Sequence, residues 1–185
     1  MPKVPSRSAF AIRFFVASLA VLASALLVGA LLIAAMPPAV FPSVRFPPAF
    51  AASTVAVLLG SLFLNRALGC VRRERQPEFR RQLVLALAAG ALFVAIQMSA
   101  LNWLVQRQAP QEVPTGETAF VTVMAALHAL HFIVALLFLV FVTVQAHAHR
   151  YDHEYYWGVL VCSWFWHALT VLWLAVLGVV AIASS

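Results

Sequence analysis

Three histidines stand inside apolar stretches of this chain, and their spacing is the first place to look for chemistry. His128 and His131 occupy positions i and i+3 of "LHALHF", inside an apolar run from Phe120 to Val144. On a helix they project from one face. His167 lies in "FWHALTVLW". An imidazole placed in hydrocarbon costs free energy unless it finds a partner, so each of the three needs a reason. Three chemistries compete. A b-type haem needs two imidazoles opposed across a bundle, and His131 with His167 could supply them. A metal ion would find at most two ligands on the i, i+3 pair, with no acid or cysteine nearby. Neutral imidazoles could instead hydrogen-bond between helices, each bond contributing ~0.6 to 2 kcal/mol in a membrane. Spacing favours this third chemistry, with haem ligation as its competitor.

The other polar groups in apolar surroundings are few. Gln97 and Asn102 lie in one apolar run, and Ser53, Thr54 and Ser61 in another. Trp164, Trp166 and Trp173 form a stripe that reads as packing and interface anchoring rather than a cofactor box. "HAHRYDH" holds His147, His149 and His153 without the spacing of a closed metal site. All the acids, Glu74, Glu78, Glu112, Glu117, Asp152 and Glu154, fall in polar segments. Proton relays and cation pathways rely on carboxylates at membrane depth, so a self-sufficient pump is disfavoured. No paired broken helices point to a transporter site. Cys70 and Cys162 stand far apart and read as free thiols. No residue is assigned a catalytic, cofactor-binding or metal-binding role.

The elements that must position these groups follow from composition. Of the 185 residues 64% are hydrophobic and 10% are charged, well below the usual charged quarter of a soluble domain. About 20 apolar residues cross a bilayer as a helix. Five runs qualify: Phe14–Met36, Phe50–Leu68, Leu83–Leu104, Ala119–Ala146 and Trp157–Ala183. The expected fold is therefore an all-α integral membrane protein, one transmembrane domain over residues 1–185. The first run is too long for a secretory signal, whose core is roughly 7–15 residues.

Between the spans, "PPAVFPSVRFPP" should form a stiff extended link, since its prolines forbid helix. "GCVRRERQPEFRR" reads as a loop over 69–82, with Pro77 breaking any continuous helix. Thr115 or Thr118 could cap the fourth helix. Tyr151, Tyr155, Tyr156 and Trp157 should form an aromatic belt at headgroup level.

Charge predicts orientation. Lys3, Arg7, Arg13, Arg66, Arg72, Arg73, Arg75, Arg80, Arg81 and Arg150 fall on one side of a five-span chain, and Arg45 and Arg107 on the other. The positive-inside rule then puts the amino terminus in the cytoplasm and the carboxyl terminus outside. The net charge of +6 reports this asymmetry and contact with anionic headgroups, not nucleic acid.

Four segments, in order along the chain, resemble cytochrome c oxidase subunit III in a short five-helix form. "STVAVLLGSL" (Ser53 to Leu62) is similar to that family's Ser-Thr-x-x-Leu-Leu-x-Ser-Ser-Leu stretch, and "LFVAIQ" (Leu92 to Gln97) to its Phe-Leu-x-x-Gln segment. His128-Ala129-Leu130-His131-Phe132 stands where the family has His-Gly-x-His-Val. "WHALTVLW" keeps Trp166, His167 and Trp173 of Trp-His-Phe-Val-Asp-x-Val-Trp. The family's acids are replaced: Leu19 follows Ser18, Thr170 replaces the Asp, and the acid beyond Gln97 is absent.

The resemblance implies an accessory subunit with no haem or copper of its own. Its expected partners are the catalytic and copper-bearing subunits of a haem–copper oxidase, together with phospholipid. Such a subunit would support proton supply and durability during oxygen reduction, in the plasma or inner membrane of a bacterium. His128, His131, His167, Trp166, Trp173 and Gln97 become candidates for interhelical hydrogen bonding or lipid contact. Three alternatives stand beside it: the related accessory protein of bacterial nitric oxide reductase, a small haem-binding electron carrier, and a stand-alone membrane protein.

Overall fold

The protein's computed structural model describes residues 6–35, 48–107 and 116–183. They form five helices: α1 (Ser6–Ala35), α2 (Pro48–Arg72), α3 (Gln76–Arg107), α4 (Gly116–His147) and α5 (Trp157–Ala183). No strand occurs among the described residues. The shortest helix has 25 residues and the longest have 32. At about 1.5 Å per residue even the shortest exceeds the ~30 Å hydrocarbon layer. α2 to α5 are long and apolar enough to cross a membrane, and α1 carries the shorter apolar stretch Phe15–Leu31. The chain is a multi-pass, all-helical membrane protein.

The helices overrun the expected spans at their charged ends. α3 begins at Gln76, so the loop expected over 69–82 shrinks to a turn of Arg73–Arg75. Pro77 does not break a helix here; it occupies the second position of α3, where a missing N–H costs nothing. Glu78 follows in the first turn, where its charge suits the helix dipole. Upstream, the amides of Arg73 and Arg75 bond back to the Cys70 carbonyl at 3.1 and 3.0 Å. Glu74 takes a left-handed φ of 58°, and His149 ends α4 likewise at 54°. Such a residue stops a helix by turning the chain while its last carbonyls stay bonded. The proline-rich link at 37–47 and Thr115 lie outside the described residues, and Thr118 falls inside α4.

α2 and α3 form a hairpin, α4 packs on α3, and α5 closes the bundle against both α4 and α2. α1 lies on α4 and α5. Phe15 of α1 meets Phe165 of α5 with ring centroids 4.8 Å apart. Ala56, Ala67, Ala86, Ala135 and Ala146 are buried between helices. Small side chains at these positions let backbones approach, which is how helices gain packing energy in lipid. Leu137, Phe141, Val144 and Val171 point outward, as a lipid-facing surface requires.

Candidate functional site

The polar groups gather along the seam between α2 and α5. Thr54, Val57, Ser61 and Asn65 fall three, four and four residues apart, so they share one stripe of α2. Trp166, His167, Thr170 and Trp173 face them from α5. The Trp173 indole donates to Thr54 Oγ1 at 3.0 Å, and Thr54 donates to the Phe50 carbonyl at 2.7 Å. The Trp166 indole reaches the Val57 carbonyl at 3.4 Å. His167 Nε2 lies 3.1 Å from Asn65 Oδ1, and its Nδ1 lies 3.3 Å from Ser61 Oγ. An amide oxygen only accepts, so this arrangement puts the ring proton on Nε2 and leaves Nδ1 to accept from Ser61. Thr170, where the resembling family has an acid, donates to the Trp166 carbonyl at 2.9 Å and stands 3.3 Å from Ser61.

Trp166 is the steric centre of the bundle. Its fully buried indole lies over Gly60 of α2 and Gly90 of α3. A Cβ built at Gly60 would come within 2.5 Å of the ring, and one at Gly90 within 2.6 Å. Phe132 of α4 meets the same indole edge-on at 4.8 Å. One side chain from α5 thereby touches the other three central helices.

Trp173 repeats the pattern toward the other end of α5. Phe93 of α3 meets it edge-on at 5.8 Å, and His128 of α4 stacks on it at 5.6 Å with planes 25° apart. His128 is 3% exposed, and neither ring nitrogen has a hydrogen-bond partner among the described residues. Its surroundings are rings. His131, one turn on, places Nδ1 2.7 Å from the Leu127 carbonyl of its own helix. Of the two histidines weighed as a haem pair, His167 thus turns to α2 and His131 to its own backbone. Gln97 is half-buried on α3, one turn past Phe93.

A second cluster joins the α2–α3 turn to the α4–α5 loop. His153 Nδ1 meets Glu74 at 2.6 Å, Arg80 lies 2.9 Å from His149, and Gln76 donates to the Tyr151 carbonyl at 3.0 Å. Arg72 sits over the Tyr156 ring at 5.2 Å. Tyr151, one of the four rings expected at headgroup level, is buried against Phe79, whereas Tyr155 is exposed. Burial, then the neighbouring Cys162 and Tyr155, pushes the Tyr151 hydroxyl up to about 12. Cys70 and Cys162 are free thiols. Among the described residues no three His, Cys, Asp or Glu side chains gather closely enough to hold a metal ion.

The histidines and tryptophans of the seam announced themselves as polar groups in apolar runs. Asn65 was missed, although it stands four residues after Ser61 on the same stripe. Gly60 and Gly90 were also missed, because glycine is common in membrane helices and carries no mark of what fills its missing side chain.

No family model matches the chain. Among curated proteins it is similar to "Cytochrome c oxidase subunit 3" of Petromyzon marinus and of Ornithorhynchus anatinus, each 23% identical over 122 residues. Those matches cover 66% of this chain and 45% of each relative. The protein of the same name from Formosania lacustris is 28% identical over 98 residues, covering 51% of this chain and 36% of the relative. The chain thus spans less than half the length of these relatives, which are all eukaryotic. The resemblance read from the motifs is borne out by proteins of that one name.

Proposed function

We propose that this chain is an accessory subunit of a haem–copper terminal oxidase, packed in the membrane against the catalytic subunit. The observation that carries the reading is spatial. Two of the segments that resemble subunit III, "STVAVLLGSL" and "WHALTVLW", are each other's partners in the fold. Their contacts are Thr54 with Trp173, Val57 with Trp166, and Ser61 with His167 and Thr170. Motifs more than a hundred residues apart that share one interface make a common architecture a better account than chance similarity of apolar stretches.

In this reading the subunit carries no redox centre of its own. His167 serves as a tie between helices, and the oxidase's haem and copper belong to its partners. The absence of acids from the seam makes any influence on proton uptake indirect, through packing and surface charge. The lipid-facing apolar surface would hold phospholipid against the catalytic subunit, in the plasma or inner membrane of a bacterium.

The test is a gentle detergent pull-down of the tagged chain, followed by oxygen-electrode traces of the complex with and without it. The expected outcome is co-purification with a haem–copper catalytic subunit. Initial oxygen consumption should persist on removal, with faster decline during turnover. Capture of a nitric oxide reductase instead, or loss of the first turnovers, would overturn the proposal. So would a Soret band on the isolated chain that His131→Ala abolishes.

A further inference from the structure

A cleft of about 380 Å³ opens at the end of the α2–α3 hairpin, lined by Arg66, Gly69, Cys70, Arg73, Arg75, Glu78 and Gln82. Its charge is unbalanced. Glu78 is the one carboxylate in the lining, and it pairs with Arg75 at 3.3 Å. Arg66 and Arg73 are exposed and have no carboxylate partner among the described residues.

The position of these arginines narrows what could neutralise them. Arg66 lies six residues before the end of α2, about 9 Å down the helix axis. Arg73 and Arg75 lie in the turn beyond that end. The lining therefore spreads over a depth comparable with the headgroup layer on one face of a bilayer. A guanidinium at the depth of Arg66 is costly without a counter-charge or a route to water. The floor of the cleft is open: a Cβ at Gly69 would meet nothing within 4 Å. Gln82 Oε1 is buried and has no hydrogen-bond partner among the described residues.

From this geometry we infer that the cleft between Arg66 and Arg73 is a binding site for the phosphodiester of an anionic phospholipid. Guanidinium forks match phosphate oxygens in pairs, and acyl chains would continue down the apolar flank of α2. Leu59 and Leu62 are exposed there. The inference stands on the hairpin alone and does not depend on what the protein assembles with. A free phosphate offers the same headgroup chemistry without the chains, so the test must separate the two.

Cys70 supplies a local reporter, because it lines the cleft while Cys162 is buried. The full chain is reconstituted in micelles doped with phosphatidylglycerol or with phosphatidylcholine. The rate of maleimide labelling at Cys70 is then followed. Phosphatidylglycerol should slow labelling, with an apparent affinity about fivefold above phosphatidylcholine for each arginine engaged. Arg66→Gln with Arg73→Gln should abolish that preference. Arg81→Gln with Arg150→Gln removes the same charge from exposed positions outside the lining and should preserve it. An equal loss of preference in both pairs would reduce the site to diffuse surface charge and overturn the inference. Protection by inorganic phosphate as strong as that by the lipid would overturn it as well. Oxidase pull-down is not read here, so failure of this site and failure of the subunit proposal remain distinguishable.

Discussion

At the scale of single residues, the slot that Gly60 and Gly90 make for Trp166 gives the sharpest expectation. Overpacking a filled interior costs about 1–3 kcal/mol, so Gly60→Ala and Gly90→Ala should each destabilise the bundle by that order. Gly69 is the internal contrast, since a Cβ there meets open space. With no clash, Gly69→Ala should be neutral or stabilising by up to ~1 kcal/mol, the helix-propensity gain. Denaturation in mixed detergent micelles measures all three, and combining Gly60→Ala with Trp166→Phe should recover part of the loss. An equal cost at Gly60 and Gly69 would contradict the slot. The two halves of this site were unequally legible in sequence. Thr54, Ser61, Trp166, His167 and Trp173 stood out because polar atoms in lipid demand partners. Gly60 and Gly90 did not, since a glycine shows only that space is available. The histidine pair was legible as an oddity but not in its outcome. His128 turned into a box of rings and His131 to its own helix, and i, i+3 spacing alone could not separate those fates.

The helices themselves were readable because the bilayer sets their length, and each observed element contains nearly all of its expected apolar run. Their ends were less so. Hydropathy stops at the hydrocarbon edge, whereas a helix continues as long as its backbone bonds are made, which is why α3 starts at Gln76 and not at 83. The inward turn of Tyr151 was hidden for a related reason, since a tyrosine near the interface suits either a headgroup or a buried contact. That contact has a pH signature. The folded protein holds the hydroxyl of Tyr151 at about 12, above its ordinary value of 10.0. Between those values the unfolded chain ionises while the folded chain keeps its proton, so the unfolded state binds fewer protons and stability falls as pH rises. Below 10 both states are protonated and the effect vanishes. Tyr151→Phe should therefore remove part of the alkaline loss of stability without altering stability trends at neutral pH. A tyrosinate absorbance titration should also lose its highest step in that variant. Identical alkaline unfolding of both proteins would show that Tyr151 does not govern it.

For the molecule as a whole, charge makes a claim about direction. The turn at Arg73–Arg75 and the loop with Arg150 share one end of the bundle, tied by His153 to Glu74 and by Arg80 to His149. By the positive-inside rule that end is expected to face the cytoplasm. Reporter fusions placed in the Arg73–Arg75 turn and in the 108–115 segment should report opposite sides, the first cytoplasmic. A common side would refute the five-crossing topology. The seam also carries a consequence in time. Ser61 and Thr170 are 109 residues apart in the chain, and ribosomes add ~5–20 residues per second. The α2 stripe is therefore made on the order of 5–20 s before α5 exists to cover it. Through that interval the α2–α3 hairpin can already be joined by its short turn. Its hydroxyls and the groove over Gly60 still lie open to lipid. A chain halted before Trp157 would remain in that state, with the slot over Gly60 unfilled and the hydroxyls of the α2 stripe without their α5 partners.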